Sequence, residues 1–397
     1  MKKTILLILL CISLLELTAC KKTPNVTDMP PAHGKEVTPG EANSPTINRS
    51  EPTHMTKKLC DGLEIDADIP ISDVSSLPTY QANPLTITPN DAIALFLSEG
   101  KKKIGTQTKD HYDPKGFLLT MKGGQEIFHR SGQLSFDSGN SAKDQDIFDV
   151  LQRYGRVHPQ KGPRSLSFMS PKEAVKQGED LIQKLGLISN PDIKSGQIVG
   201  LKAEEIMNWQ KELLKDSSYK EGVDIGKTTI LNDLDADDDA YLLTFSLQYQ
   251  DIPIFNQDNE PSISSASDGL APPSAKAAML VTAKGLRYFS LEGGVSANGT
   301  ASKPQAIISA DKALSKLVEK YEDTIRFGKQ CITEVWLEYI PQSDNNTQKP
   351  GAPVTLTPYW CFRLASFDEA TDKLDEREYD SAERFNAITG KDLAYGG

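Results

Sequence analysis

From residue 88 onward the apolar positions of this chain alternate between two periods. Three stretches carry the three-and-four spacing of a helix that buries one face: Ile93, Phe96 and Leu97; Val175, Ile182 and Leu185; Ala313, Leu314, Leu317, Val318 and Tyr321. Each follows a hydroxyl residue placed to cap a helix. Thr88-Pro89-Asn90-Asp91 and Ser170-Pro171-Lys172-Glu173 put Pro at the first helical position, where no N–H is needed, and an acid at the third. Ser309-Ala310-Asp311-Lys312 keeps the cap and loses both of the others. A further helix is predicted over residues 203–215, with Ile206, Trp209 and Leu213 on one side.

Strand-like segments follow each cap. Phe117–Met121, Glu126–His129 and Leu134–Phe136, separated by Gly123-Gly124 and Ser131-Gly132, read as a meander. YLLTFSLQY (241–249) puts Tyr241, Leu243, Phe245, Leu247 and Tyr249 on one face and mostly polar residues on the other. Met279–Ala283 and Leu286–Leu291 flank Lys284-Gly285 as a hairpin. CITEVWLEYI (331–340) and VTLTPYWCFRL (354–364) form a longer one, and FNAITG (385–390) reads as a short strand entering a turn. Three caps in series, each with strands behind it, predict an internal repeat.

Ahead of residue 84 the pattern changes. Residues 21–83 are rich in Pro, Thr, Ser, Asn and charge, with little hydrophobic period, and read as a flexible tether with Cys60 inside it or at its end. Lys2 and Lys3 precede an apolar run from Thr4 to Leu15 that is too short to span a bilayer and has the length of a signal-peptide core. Leu17-Thr18-Ala19-Cys20 then matches a bacterial lipobox, whose small residues enter a protease cleft and whose Cys thiol is acylated. Glu16 departs from that pattern, and a plain secretory signal with a chance Cys20 is the competing reading. The expected layout is a lipoprotein signal over 1–19, a tether over 20–83, and α+β units over 84–160, 166–295 and 302–393.

Cleavage before Cys20 removes Lys2, Lys3 and Glu16, which takes the formal charge from −11 to −12. An acidic chain argues against nucleic acid or anionic lipid as partner. A fatty acyl chain on Cys20, rather than a basic patch, is then expected to hold the protein at the outer face of the cell membrane.

The lipobox, the serial helix-then-strands units, the hairpin AKGLRYF (283–289) and the terminal FNAITG together resemble a family. Phe385, Ala387, Thr389 and Gly390 stand at its aromatic, Ala, Thr and Gly positions. The chain resembles the PepSY and YycH/YycI-like extracytoplasmic modules of Gram-positive bacteria, above all uncharacterised clostridial lipoproteins, over residues 166–393. The resemblance implies an α+β fold of antiparallel sheets, each with a packed helix. It also implies a regulatory or binding role outside the membrane, with no catalytic residues to carry over.

Candidate chemistry is sparse. NDLDADDD (232–239) sets Asp233, Asp235 and Asp237 at the first, third and fifth places of a calcium loop. Asp238 stands where the bend needs Gly, and Thr244 where the bidentate acid belongs. The stretch is either a solvated acidic turn or a weak calcium site. None of His33, His54, His111, His129 and His158 lies in a zinc spacing, and no cofactor motif occurs. Ser309 with Lys312 and Ser343-Asp344-Asn345 echo two motifs of penicillin-recognising enzymes without the third, and Ser309 is better used as a cap.

Cys331 and Cys361 face each other if their hairpin centres near residue 346, as a disulfide or as two half-buried thiols; Pro358 can shift that register. On the same strands Trp336, Tyr339, Tyr359 and Trp360 are candidate binding aromatics, with core packing as the alternative. The expected function is a non-enzymatic binding or regulatory module that offers a groove or sheet edge to an envelope protein or peptide. A solute-binding lipoprotein with a small ligand between domains, or a hydrolase with a scattered site, are the alternatives.

Overall fold

A computed structural model describes residues 53–70, 74–97, 103–158, 162–255, 274–323, 328–343, 351–368 and 373–393. Cys20 and the expected signal lie outside the described residues. The chain runs β1 (Thr53–Cys60), β2 (Leu63–Ile69), β3 (Ser76–Leu77), β4 (Tyr80–Ala82), α1 (Pro89–Phe96), β5 (Ile104–Lys109), β6 (Phe117–Met121), β7 (Glu126–Arg130) and β8 (Gln133–Asp137). It continues through α2 (Ser141–Val157), α3 (Pro171–Gln183), β9 (Asn190–Leu201), α4 (Ala203–Leu213), α5 (Ser217–Asp224), β10 (Ala240–Tyr249), β11 (Ile252–Pro253), β12 (Lys276–Thr282) and β13 (Gly285–Glu292). Last come β14 (Thr300–Ala301), β15 (Gln305–Ala306), α6 (Ala310–Glu322), β16 (Gln330–Ser343), β17 (Val354–Asp368) and β18 (Lys373–Asn386).

The hydroxyl caps start helices where their spacing predicts. Thr88 accepts from Asp91 N–H, Ser309 from Lys312 N–H, and Ser170 completes a reciprocal capping box with Glu173. Each cap satisfies a backbone donor that the first helical turn leaves without a partner. The fold is α+β. Nine strands form one sheet in the order β11-β10-β12-β13-β8-β7-β6-β5, with β9 also on β10. Seven form a second, β1-β2-β16-β17-β4-β14, with β18 also on β17, and β15 pairs with β3.

Both faces of the nine-stranded sheet are covered around β10. On one side α3 packs over Phe245 and Met279, and α1 lays Phe96 on Phe136 and Phe289 of the same buried cluster. Gly178 of α3 permits that approach, because a Cβ there would lie 2.4 Å from the Phe245 ring. On the other side α2 and α4 bury Ile147, Val150, Leu151 and Ile206 against Val199, Leu242 and Leu280. The period-two reading of 241–249 was therefore half right: the face expected to be polar includes buried Leu242 and Ser246, since helices lie on it too. In the seven-stranded sheet α6 packs on Trp360, Phe362, Leu364 and Phe385 and on Leu63 and Ile65 of β2.

Two expected boundaries are replaced. Residues 53–69, assigned to the tether, form a hairpin turned at Gly62 (φ +74), and β2 joins β16 in parallel through Leu63↔Gln330 and Ile65↔Ile332. The segments 84–160 and 166–295 share one sheet, since β8 pairs with β13 through Phe136↔Phe289. The described residues, 53 to 393, belong to one compact unit.

Candidate functional site

The long C-terminal hairpin closes at Ser343↔Val354, so Trp336 stands opposite Cys361 and Ala365 opposite Cys331. Of the two readings left open for them, the structure has the thiols: Cys331 and Cys361 are free and buried, and the register sets them apart along the ladder. Pro358 pairs with Tyr339 in regular register, and the bulge falls instead at Ile332/Glu334. Nor do the four aromatics share a surface. Trp360 is in the core under α6, its indole N–H donating to Ile308 O at 2.8 Å. Tyr339 is buried beside Tyr249 and donates to Pro78 O at 3.0 Å. Tyr359 is buried on the opposite face, and only Trp336 is part-exposed.

That opposite face holds a polar cluster the sequence reading missed. Glu338 on β16 is 2% exposed, and three donors meet its carboxylate. Arg384 Nε of β18 lies 3.0 Å from Oε1, Cys361 Sγ of β17 lies 3.1 Å from Oε1, and Trp336 Nε1 lies 3.2 Å from Oε2. The Arg384 guanidinium stacks 5.5 Å over Phe255. Burial pushes the Glu338 carboxyl up to about 7, with the Cys361 and Trp336 hydrogen bonds opposing it. Burial, then the neighbouring carboxylate, pushes the Cys361 thiol well up, so it stays protonated and is no nucleophile. With Glu338, Cys361 and Arg384 buried and Trp336 half-buried at its margin, the cluster cross-links three strands.

The acidic stretch 232–239 is spent on structure. Asp235 caps a 3-10 turn over Ala236–Asp238 and accepts from Asp237 N–H at 2.9 Å. Asp238, at the place a calcium loop reserves for Gly, is buried and takes Lys143 at 2.8 Å and Lys284 at 3.1 Å. Against the cost of burial, those ammonium groups hold its carboxyl below the usual range. Asp239 accepts from Ala203 N–H at the start of α4. Asp233, Asp235 and Asp237 do not converge, and no His, Cys, Asp or Glu cluster among the described residues is arranged to hold a metal. Millimolar calcium is expected to leave the melting temperature unchanged in a thermal titration; a clear rise would reinstate the calcium reading.

A cleft lies elsewhere. Between the C-terminal end of α2 and β9 runs a cleft of about 360 Å³, walled by Tyr154, Gly155 and His158, by residues 162–164, and by residues 197–201. Five consecutive strand residues line one cleft only where it runs along the strand's edge. Residues 197–201 pair with β10 on one side, from Gln197↔Thr244 to Leu201↔Ala240. Alternate residues of such a strand turn N–H and C=O away from that partner. Behind Tyr154 and His158 stands Trp209, with centroids 5.4 Å and 5.2 Å away. Arg164 Nη1 on the far wall is 2.9 Å from Glu205, which balances its charge. Gly155 keeps α2 close to the strand, since a Cβ there would crowd Val199 Cγ2 at 2.8 Å and push the Gln197 amide aside. Main-chain groups, aromatic rings, an amide and a guanidinium together suit a peptide main chain.

No family model matches this chain, and no curated protein is similar to it. In fold it is similar to an uncharacterised protein from Eubacterium rectale ATCC 33656 known from a crystal structure. The TM-score is 0.53 and the identity 16%, over 89% of this chain and 97% of that one. At that identity the likeness concerns the fold alone.

Proposed function

We propose that this protein is a non-catalytic, extracytoplasmic binding lipoprotein, anchored by acylated Cys20, that takes an extended peptide segment of an envelope partner in the cleft between α2 and β9. The observation that carries the reading is a cleft running along residues 197–201, the outer edge of a strand, with Tyr154 and His158 at its end. Strand addition at such an edge gains affinity from main-chain hydrogen bonds, and the aromatic wall sorts side chains. The lipobox supplies a place for it to work, outside the membrane. A PepSY-like identity agrees with helices packed on antiparallel sheets and with the turn at FNAITG, where Asn386 Oδ1 accepts from Ile388 and Thr389 N–H.

A second reading rests on the cleft's volume, which falls in the range of small-molecule sites. Thermal shift separates the two. A pool of short synthetic peptides is expected to raise the melting temperature of the mature chain, and the double substitution Tyr154→Ala/His158→Ala to remove that rise while the ligand-free protein still melts cooperatively. Silence with peptides and a shift with amino acids or sugars would transfer the cleft to a small solute. Acylation is tested separately: Cys20→Ser is expected to release the protein from the membrane fraction.

A further inference from the structure

The far end of the nine-stranded sheet reverses the charge of the whole protein. β5 is its terminal strand and pairs, among the described residues, with β6 alone. All six of its residues are exposed. Lys103 precedes it, Lys109 is its last residue, and Lys115 and Lys122 bracket β6; all four are exposed, and among the described residues none is in an ion pair. Lys122 N–H donates to Lys103 O at 2.8 Å, so those two stand side by side at one end of the hairpin.

The acids nearby are already engaged. Asp110 is held by the Arg130 guanidinium at 2.8 and 2.9 Å. Asp113 is buried, accepting from Ser131 N–H and Oγ at 2.6 Å and from Lys115 N–H at 2.9 Å. Glu126 on β7 is the remaining exposed acid, and Thr120 Oγ1 reaches it from β6 at 3.3 Å. Beside the lysines Tyr112 is 72% exposed, and Leu118 and Ile104 are exposed as well.

We infer that β5 is a docking edge for an acidic, extended segment of a partner protein, which adds to the sheet as a further strand. Lysines on an edge strand ordinarily guard against self-association. The same four charges repel a second copy of this chain at its β5 and favour a strand of opposite sign, so guarding and selecting are one property. Gly105, Thr106, Gln107 and Thr108 are uncharged and exposed, on an edge that among the described strands only β6 pairs with. An anionic lipid surface would answer the lysines but makes no use of that open ladder, which is why a strand is the occupant that fits. The surface is separate from the cleft at β9 and does not depend on it.

The test uses the mature chain carrying Cys20→Ser and a labelled synthetic peptide of alternating Val and Glu, followed by fluorescence anisotropy. Binding is expected, weakening as salt is raised. Lys103→Glu/Lys109→Glu/Lys122→Glu is expected to weaken it by about tenfold or more. A Val–Lys peptide is expected not to bind, and Tyr154→Ala/His158→Ala to leave binding unchanged. Gln107→Pro and Thr108→Pro complete the design. Successive residues point their N–H to opposite sides, so one of the two spares the β6 ladder. The variant that keeps the native melting temperature is expected to lose the peptide. Retained binding in that variant would overturn the proposal. So would sedimentation with phosphatidylglycerol vesicles that persists in that variant when the peptide does not bind.

Discussion

A fragment starting at residue 84, where composition alone would begin the folded part, is expected not to fold, whereas one starting at Pro45 is expected to melt cooperatively. The reason is the hairpin of β1 and β2. Leu63, Ile65 and Ile69 are buried under α6 with Leu317, Tyr321, Ile332 and Val335. Burying a Leu or Ile side chain stabilises by about 1.5–3 kcal/mol, so these three contribute about 5–9 kcal/mol. That compares with about 5–15 kcal/mol for a whole domain. The cut also removes β4, which pairs with β17, and Tyr80, whose hydroxyl donates to Ala297 O and accepts from Gly299 N–H. Circular dichroism and a thermal melt decide the matter. If the fragment from 84 melts at the temperature of the longer one, the hairpin is an appendage and the core assignment fails.

What the sequence disclosed and what it hid divide by range. Caps are local, and Thr88, Ser170 and Ser309 each start a helix where the pattern puts one. The Lys284-Gly285 turn is local as well, with Gly285 at φ +95. The hairpin at 53–69 escaped although LEIDADI alternates buried and exposed along its length. Its short period-two signal was outweighed by the Pro- and Thr-rich composition around it, and β1 has no fully buried residue. α2 escaped too, though Ile147, Val150, Leu151 and Tyr154 keep helical spacing. The C-terminal register was beyond reach, since where the loop between β16 and β17 closes decides which residue faces Cys361. The meeting of Glu338, Cys361 and Arg384 needs that register plus the one between β17 and β18. The cleft needs a helix end, a loop and a strand edge brought together. Sites built from such non-local placement leave no motif behind.

Arg384→Met is expected to be among the most damaging single substitutions, and more so at alkaline pH than at acid. It removes a guanidinium that lies 3.0 Å from a carboxylate 2% exposed, within a layer that includes Phe255, Ile340 and Tyr359. Deleting one partner of a buried ion pair costs about 3–5 kcal/mol, because the remaining charge is neither solvated nor paired. The sign with pH follows from Glu338, raised in the folded protein from 4.5 to about 7. A raised carboxyl binds its proton more tightly folded than unfolded. Its contribution to stability is complete below 4.5 and is lost as pH climbs through 7, by about 3 kcal/mol. In Arg384→Met the folded value rises further, so the penalty grows across neutral pH and shrinks where Glu338 is protonated. Glu338→Gln in the same background mimics the protonated acid and is expected to restore most of the loss at about pH 8 and little of it at about pH 5. Urea denaturation of the two variants at both pH values measures this. An equal penalty at both, with no rescue by Gln, would mean that Glu338 carries no charge in the folded protein and that Arg384 acts there by packing on Phe255.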